Sequence, residues 1–324
     1  MKNTLFRFRS INKNSVSALM NDFVFASTPD QFNDPYDTLF SYDPGKLYSL
    51  IVENQTLFSI VSEIFYDEFK KEKPSFTIKE AQEVVRDKLF MLGWVNNTFL
   101  KTLRVLRRQI LITCFCESVS KEIMWSHYAN YGEGFALEYD EAQLQNAIKG
   151  YIAKYKENNP NDYLEKEYQP FGLKNVKYSR AKIDGTEVIF DKIKEILITQ
   201  KNYKQGHISV KKYALETEDF NHFVAYKDKS WEYEDEIRLV LPNHDSSKSF
   251  CRVFSLKPLA IYVGEFIGFN DLYTLCSIAK TKKLPIYKMI SSLDKKKFGL
   301  KKRVITEREI DSIINKFTDV NFYD

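Results

Sequence analysis

The sequence has few of the residues that interrupt secondary structure or link separate domains. Among 324 residues there are only 11 glycines and 9 prolines, against 25 phenylalanines and 20 tyrosines. Long disordered segments show the opposite composition, with few aromatic residues. A hydrophobic fraction of 44% over this length is enough to bury a full core. We therefore predict a single globular domain over residues 1–324.

The chain also lacks the features of membrane and secreted proteins. No apolar run approaches the roughly 20 residues that a membrane-spanning helix needs, and the N-terminal stretch MKNTLFRFRSINKNS has no apolar core of a signal peptide. We expect a cytoplasmic protein with reduced cysteines and no membrane partner. The formal charge of +4 does not by itself predict nucleic-acid binding, which needs a concentrated basic face.

Several standard catalytic motifs are missing. The sequence contains no GxxxxGK[ST] loop, no GxGxxG after a strand, no HExxH and no GxSxG. The four histidines are too scattered to suggest a metal pair. We place Cys114 and Cys116 on opposite faces of one strand and so predict no zinc site there. The prediction for the whole chain is that no metal is bound.

The hydrophobic pattern that is present predicts an α+β fold. Residues 4–10 and 23–28 alternate as strands, whereas residues 42–108 carry apolar residues at helical spacing. Residues 258–290 have the pattern of a β-α-β unit with parallel strands, and a basic tail over residues 291–324 follows. We predict a mixed, mostly antiparallel sheet with a helical insertion at about 42–108 and a C-terminal β-α-β unit.

The central stretch over residues 112–140 reads as strand, short helix, glycine turn and strand. Trp125, Ser126, His127 and Tyr128 come together just before the turn. Such a cluster beside a sheet edge is able to line a pocket. Taken alone, it is more often a buried helix face whose polar groups are satisfied.

The first strand places two arginines, Arg7 and Arg9, on one face. One interpretation is a solvated edge strand protected by charge. The other is that a guanidinium faces a cleft and holds a phosphate, a ribose or an amide with its planar fork. The pattern does not decide which arginine faces the cleft.

Near the other end of the chain, Glu234 and Glu236 are predicted to share one strand face. Two carboxylates in one cleft repel, which raises the pKa of one and leaves the other charged. A charged carboxylate stabilises a positive centre at an anomeric carbon. An acidic strand end paired with lysines is the alternative interpretation.

The loop after the second strand carries Phe32, Asn33 and Asp34 between two prolines. Asn33 and Asp34 are residues that hydrogen-bond their own backbone in turns, and Phe32 is placed to plug the loop into the core. Turn formation is the stronger interpretation of the loop by itself. The alternative is a rigid loop that lies over a ligand.

An ordered series of motifs resembles the bacterial domain-of-unknown-function family 2971. From about residue 5 to 290, the motifs are FRFRS, FASTPDQFNDPYD, CFCES, MWSHYANYGEGFALEYD, WEYEDEIRLV and a strand IYVG. That family looks like a distant relative of the ADP-ribosyltransferases, and its members are similar to phage-defence and toxin-antitoxin proteins. The resemblance implies an ADP-ribosyltransferase-like sheet and NAD as the substrate.

The resemblance also implies roles for individual residues. Arg9 or Arg7 would clamp the NAD phosphates, Glu236 would stabilise the ribosyl cation and Glu234 would orient the acceptor. Ser27 and Thr28 would support the nicotinamide side, and Trp125, His127 and Tyr128 would wall the nicotinamide pocket, with His127 and Tyr128 also expected to be catalytic. The other residues expected to bind NAD are Phe32, Asn33, Asp34 and Ser126.

The function expected from this resemblance is an NAD-dependent ADP-ribosyltransferase that acts as a toxin or phage-defence effector. Its acceptor would be a macromolecule, RNA or protein, and a neutralising antitoxin is an expected partner. Two alternatives stay open. One is a nuclease or binding module directed to nucleic acid, and the other is a sensor that binds a nucleotide without consuming it.

Overall fold

A computed structural model describes residues 3–34, 36–158, 171–204, 217–292 and 299–320. The strands are β1 (Thr4–Arg9), β2 (Phe23–Ser27), β3 (Ile110–Cys116), β4 (Phe135–Asp140), β5 (Gly172–Asn175), β6 (Lys177–Ser179), β7 (Tyr226–Asp228), β8 (Glu236–Pro242), β9 (Phe250–Ser255), β10 (Ala260–Val263), β11 (Ile286–Ser291) and β12 (Leu300–Val304). The helices are α1 (Lys13–Met20), α2 (Pro44–Glu53), α3 (Gln55–Glu72), α4 (Ile78–Arg86), α5 (Lys88–Arg108), α6 (Glu122–Tyr128), α7 (Glu141–Asn158), α8 (Thr186–Lys204), α9 (Thr217–Ala225), α10 (Phe269–Lys282) and α11 (Glu307–Val320). The α+β class is confirmed.

Ten strands form one open sheet, and β6 and β7 pair separately as a parallel ribbon. From one edge the main sheet runs β12, β11, β10, β4, β1, β3, and every pairing in this series is antiparallel except β10 with β11. Beyond β3 lie β8 and then β5, both antiparallel. The prediction of a mixed, mostly antiparallel sheet is therefore confirmed.

The sheet forks at β3, where β1 and β2 share one edge. β1 meets it at Phe6, opposite Cys116, and β2 meets it at Ser27, opposite Ile112. Between these two contacts β1 and β2 separate, and β2 continues to β9 instead. The fork leaves a gap in the sheet beside the middle of β3, between the positions that pair with β1 and with β2.

Side chains bridge the fork instead of backbone hydrogen bonds. The Arg7 guanidinium donates a 2.7 Å hydrogen bond to the carbonyl oxygen of Phe25, and the Thr113 hydroxyl donates to the same oxygen, also at 2.7 Å. A buried backbone carbonyl that loses its ladder partner is costly unless another donor satisfies it. Arg7 and Thr113 therefore stabilise the separation of the two strands.

Helices α2–α5 occupy the range expected for the helical insertion, but there are more of them than the apolar period suggested. The apolar spacing predicts separate helices over residues 48–72, 78–94 and 100–111. The first two are each broken by a residue that caps a new helix, and the third is the continuation of α5. The side chain of Asn54 accepts from the backbone of Leu57, and that of Asp87 accepts from the backbone of Leu89. Asn and Asp are strong N-cap residues, and this preference overrides the unbroken apolar spacing.

The C-terminal β-α-β unit forms as predicted, with β10 and β11 parallel. The sequence predicts Asn270 as the N-cap of the helix in this unit, and this prediction was wrong. The N-cap of α10 is Gly268, without a side-chain cap, and Asn270 lies inside the helix. Part of the predicted basic tail is β12, paired with β11, and α11 packs on α10. Residues 295–297, which carry its first lysines, lie outside the described residues.

Two buried layers flank the sheet around the fork. The core on one face packs strand residues against α1, α7, α10 and α11, and includes Leu5, Phe115 and Leu239. The core on the insertion side includes Ile112 and Val240. Within the described residues, no helix is both long enough and apolar enough to cross a bilayer.

Candidate functional site

A cavity of about 470 Å³ opens at the fork. Its walls come from β1, the end of β2, the loop after β2, β3, α6 and the segment leading into β8. This volume lies in the range of pockets that take small molecules. The fork is the cause of the cavity, because strands that stayed paired would fill this space with their own backbone.

Two arginines line one part of the cavity, Arg7 and Arg9. Arg7 is held by the Phe25 carbonyl oxygen, whereas Arg9 makes no ion pair and no side-chain hydrogen bond among the described residues. Burial and then the charge of Arg9 lower the pKa of Arg7 to about 9, and burial also lowers the pKa of Arg9. Both guanidiniums stay charged at neutral pH, and neither has a carboxylate partner, so this part of the cavity favours an anion.

Two carboxylates, Glu234 and Glu236, line the cavity as well. The prediction that they share one strand face was wrong. Glu234 ends a 3-10 helix over Lys229–Glu234, Asp235 turns the chain in the left-handed region with φ of 41°, and Glu236 begins β8. The turn, and not strand alternation, brings both side chains to the same cavity.

A buried ion network holds these carboxylates. Arg238 donates to both oxygens of Asp37, at 2.8 and 2.5 Å, and its Nε donates to Glu236 at 2.8 Å. The Lys227 ammonium donates to Glu234 at 2.7 Å and to Glu236 at 3.4 Å. Three carboxylates against two cations leave one negative charge in excess. Unpaired buried charge is unfavourable, so this excess attracts a proton or a cationic group.

The pKa values of the two glutamates move apart. Burial and then the charge of Glu236 raise the pKa of Glu234, against the opposing effect of Lys227. Burial opposes ionisation of Glu236 too, but Arg238 and Lys227 outweigh it and lower its pKa to about 2. Glu236 therefore stays ionised at neutral pH. Glu234, whose pKa is raised, is the better suited of the two carboxylates to accept and release a proton.

Two of the four consecutive residues 125–128 of helix α6, His127 and Tyr128, line the cavity. The Tyr128 hydroxyl donates a short hydrogen bond to Glu234, and His127 stacks on Tyr233 at 5.7 Å. Trp125 is 3% exposed; its indole donates to the Val119 carbonyl oxygen at 2.7 Å, and it does not line the cavity. Ser126 is exposed on the outer face of α6 and does not line the cavity either.

Of the predicted site residues on β2 and in the loop after it, some line the cavity and others do not. Ser27, Phe32 and Asn33 line the cavity. Thr28 is fully buried outside the cavity and donates to the Ser249 carbonyl oxygen at 3.4 Å. Asp34 faces a second cavity, where its Oδ1 accepts from the backbone of Tyr36 at 2.9 Å. Thr28, Asp34, Trp125 and Ser126 are thus not brought to the fork.

Sequence reasoning missed Lys227, Arg238 and Asp37. A signal for Arg238 was available, because an arginine inside the apolar run EIRLVL of a strand must pair if it is buried. Its partner Asp37 lies in a loop 201 residues away, and nothing local points to that contact. Lys227 lies in a charged stretch that resembles an exposed loop.

The prediction that Cys114 and Cys116 lie on opposite faces of their strand was also wrong. Residues two apart on a strand share a face, and Cys114 and Cys116 both line the cavity. Burial, followed by the charge of Glu236, raises the pKa of Cys114, and burial raises that of Cys116, so both stay thiols at neutral pH. Within the described ranges, no group of three or more His, Cys, Asp or Glu side chains is arranged to hold a metal ion.

Comparison with known families supports one part of the predicted resemblance. Residues 124–239 match the family model described as Protein of unknown function (DUF2971). The match begins in α6 and ends in β8, so it includes Tyr128, Lys227 and both glutamates of the cavity but not the arginine strand. It is narrower than the predicted range of about 5–290. No curated protein and no solved structure matches the chain.

Proposed function

We propose that this protein binds NAD in the cavity at the fork and transfers the ADP-ribosyl group to a macromolecular acceptor. The observation that carries the proposal is the charge distribution of one cavity, with the unpaired Arg9 guanidinium in the same walls as Glu234 and Glu236. NAD presents an anionic pyrophosphate and a cationic nicotinamide. A cavity with unpaired cations and an excess of buried carboxylate complements both.

Arg9 is the residue that would hold the pyrophosphate. Its guanidinium is half-buried and has no side-chain partner among the described residues, so a phosphate would supply charge-assisted hydrogen bonds that these residues do not provide. Arg7 would add charge from a fixed position, because its bond to the Phe25 carbonyl oxygen orients it. Ser27 on the opposite arm of the fork would face the same ligand.

The glutamates would act on the ribose next to nicotinamide. As the bond between the ribose C1′ and the nicotinamide nitrogen breaks, its electron pair leaves with nicotinamide, which becomes neutral. The positive charge that develops at C1′ is stabilised by the ionised Glu236. The acceptor then forms a bond to C1′, and its proton passes to Glu234, whose raised pKa makes it the better base.

Aromatic groups would form the walls around the nicotinamide ring. Phe32, His127 and Tyr128 line the cavity, and the Tyr128 hydroxyl orients Glu234. Planar rings and apolar walls bind a flat heterocycle and exclude water from the developing cation. The resemblance to defence proteins favours a toxin or phage-defence effector as the biological role, acting in the cytoplasm and held by a neutralising partner.

Nicotinamide release from NAD tests this proposal, with cellular RNA and protein extracts as acceptors. We expect release by the wild type and a loss of at least about a hundredfold in Glu234→Gln, which keeps the size of the side chain but cannot accept the proton. Glu236→Gln is expected to lose release as well. Because it also removes a partner of Arg238, its circular dichroism and melting temperature are measured alongside. Wild-type release that persists in a folded Glu234→Gln variant would contradict the proposed chemistry.

One observation favours a second candidate, a sensor that binds NAD without consuming it. Both oxygens of Glu236 are already engaged by Arg238 and Lys227. A carboxylate neutralised in this way stabilises a neighbouring cation less than a free one. Saturable NAD binding with no nicotinamide release under any acceptor condition would favour the sensor.

A further inference from the structure

A second cavity of about 340 Å³ lies next to the one at the fork. Lys227 lines both cavities. Of two adjacent loop residues, Asn33 lines the first cavity and Asp34 lines the second. Whatever occupies the second cavity therefore lies beside Lys227, whose ammonium donates to Glu234 at 2.7 Å.

Aromatic rings and charged side chains form much of the walls of the second cavity, where the cations Arg180, Lys182 and Lys227 outnumber the carboxylates Asp34 and Asp228. Tyr36 is 63% exposed, and the Lys182 ammonium lies 4.5 Å from its ring centroid. Trp231 and Tyr226 contribute further rings, and Arg180 adds a second exposed cation. Exposed aromatic faces flanked by Lys and Arg form the stacking surface that single-stranded nucleic acids use, because every base has a π face and every linkage a phosphate.

A buried acceptor atom gives the cavity a second feature. Asp34 is 3% exposed, and its Oδ1 is used by the Tyr36 backbone. The other carboxylate oxygen, Oδ2, is buried without a hydrogen-bond partner. A buried carboxylate oxygen without a donor is costly, and a ligand with N–H groups would remove that cost.

The charge of the rim decides which ligand supplies the donor. The exposed rim carries two cations, Arg180 and Lys182, against one carboxylate, Asp228, so a cationic protein side chain that satisfied Asp34 would still meet a net repulsion. A nucleobase carries neutral N–H donors, while its phosphate is attracted to the same two cations. Guanine fits best, because its Watson–Crick edge presents adjacent N–H donors to a carboxylate.

We infer that the second cavity binds a base of single-stranded nucleic acid, with guanine preferred through Asp34 and the base stacked on Tyr36. Its use as the acceptor site of the transferase rests on the proposed function, whereas the binding itself does not. Because Lys227 lines both cavities and donates to Glu234, a strand bound in the second cavity would place a nucleotide one residue away from the carboxylate that is proposed to take the acceptor's proton.

Fluorescence anisotropy without NAD tests the inference on the full-length protein. The probes are short labelled oligouridine strands with one central guanosine or one central adenosine, made as RNA and as DNA. We expect saturable binding with guanosine preferred. Tyr36→Ala should weaken both probes about tenfold, and Asp34→Asn, which keeps Oδ1 but replaces the free oxygen with a donor, should abolish the guanosine preference.

Phe266→Ala is the matched control, because Phe266 is 67% exposed and belongs to neither cavity. It should bind both probes like the wild type. The inference would be overturned by an absence of saturable binding to either probe, or by binding that Tyr36→Ala and Asp34→Asn both leave unchanged. Since NAD is absent, these results stay separate from those of nicotinamide release.

Discussion

The helical insertion and the forked part of the sheet are both well buried, yet different interactions stabilise them. The insertion packs apolar side chains such as Leu47, Ile51 and Phe65. Around the fork, Arg238, one of the largest fully buried side chains of the described residues, lies among carboxylates. Apolar packing is non-directional and tolerates substitution, whereas a buried ion network depends on each partner. The comparison indicates that the fork is built to hold charge, and that the insertion supports it.

The largest effect is expected when the network loses its central cation. Arg238→Met keeps an unbranched side chain but leaves Asp37 and Glu236 without their main partner. Breaking a buried pair in this way costs about 3–5 kcal/mol. Urea denaturation should show this loss, and the exposed Arg104→Met should match the wild type. A loss below about 1 kcal/mol would mean that the network does not stabilise the fork.

A cavity in the insertion should cost nearly as much but leave the ligand site intact. Leu47 is fully buried, and Leu47→Ala is expected to lower the free energy of unfolding by about 2–5 kcal/mol. Leu89 is 83% exposed, and Leu89→Ala should change it by less than about 0.5 kcal/mol. Both variants should bind NAD like the wild type. Weaker binding by folded Leu47→Ala would contradict the purely supporting role of the insertion.

The third effect depends on pH. The pKa of Glu236 is lowered to about 2 from an ordinary 4.5, so its ionisation stabilises the fold above pH 4.5. This stabilisation is lost as the pH falls from 4.5 toward 2. Over that window the wild type should lose about 1–3 kcal/mol more than Glu236→Gln. The exposed Glu68→Gln should follow the wild type, and parallel curves for all three proteins would argue against the assignment.

The smallest effect concerns α6, where neighbouring residues differ in role. Tyr128→Phe removes only the hydroxyl that donates to Glu234, and should cost about 1 kcal/mol of unfolding free energy. Ser126→Ala, on the exposed face of the same helix, should stay within about 0.5 kcal/mol of the wild type. Equal melting curves for the two variants would contradict the orienting role of Tyr128.

The two regions also differ in how far the sequence predicts them. Local periodicity was enough for β1, for β2 and for the apolar faces of the insertion, because each depends on residues a few positions apart. The caps at Asn54 and Asp87 were missed, and so was the continuity of α5 between them and β3. The fork was not predictable in this way, because it results from β1 and β2 competing for one edge of β3, which is a long-range pairing.

In the candidate site, too, some features were predictable from the sequence and others depended on long-range contacts. Arg9, Glu234, Glu236, His127 and Tyr128 were predicted from motifs and do line one cavity. The motifs could not show that Trp125 points into the core or that Asp34 faces a second cavity, since both depend on tertiary packing. Nor could they pair Arg238 with a loop aspartate far away in sequence.

The most direct test of the central claim is NAD binding at the fork, measured by calorimetry with the wild type, Arg9→Ala and the exposed control Arg104→Ala. Arg9 has no side-chain partner in the described part of the chain, so its loss should barely affect folding but should weaken NAD binding about tenfold or more. The wild type and the Arg104→Ala control should bind NAD with the same affinity. Because salt screens the attraction between Arg9 and the NAD phosphates, a higher salt concentration should reduce the difference in NAD affinity between these two proteins and Arg9→Ala. Undiminished NAD binding by Arg9→Ala, or no binding by the wild type, would contradict the account.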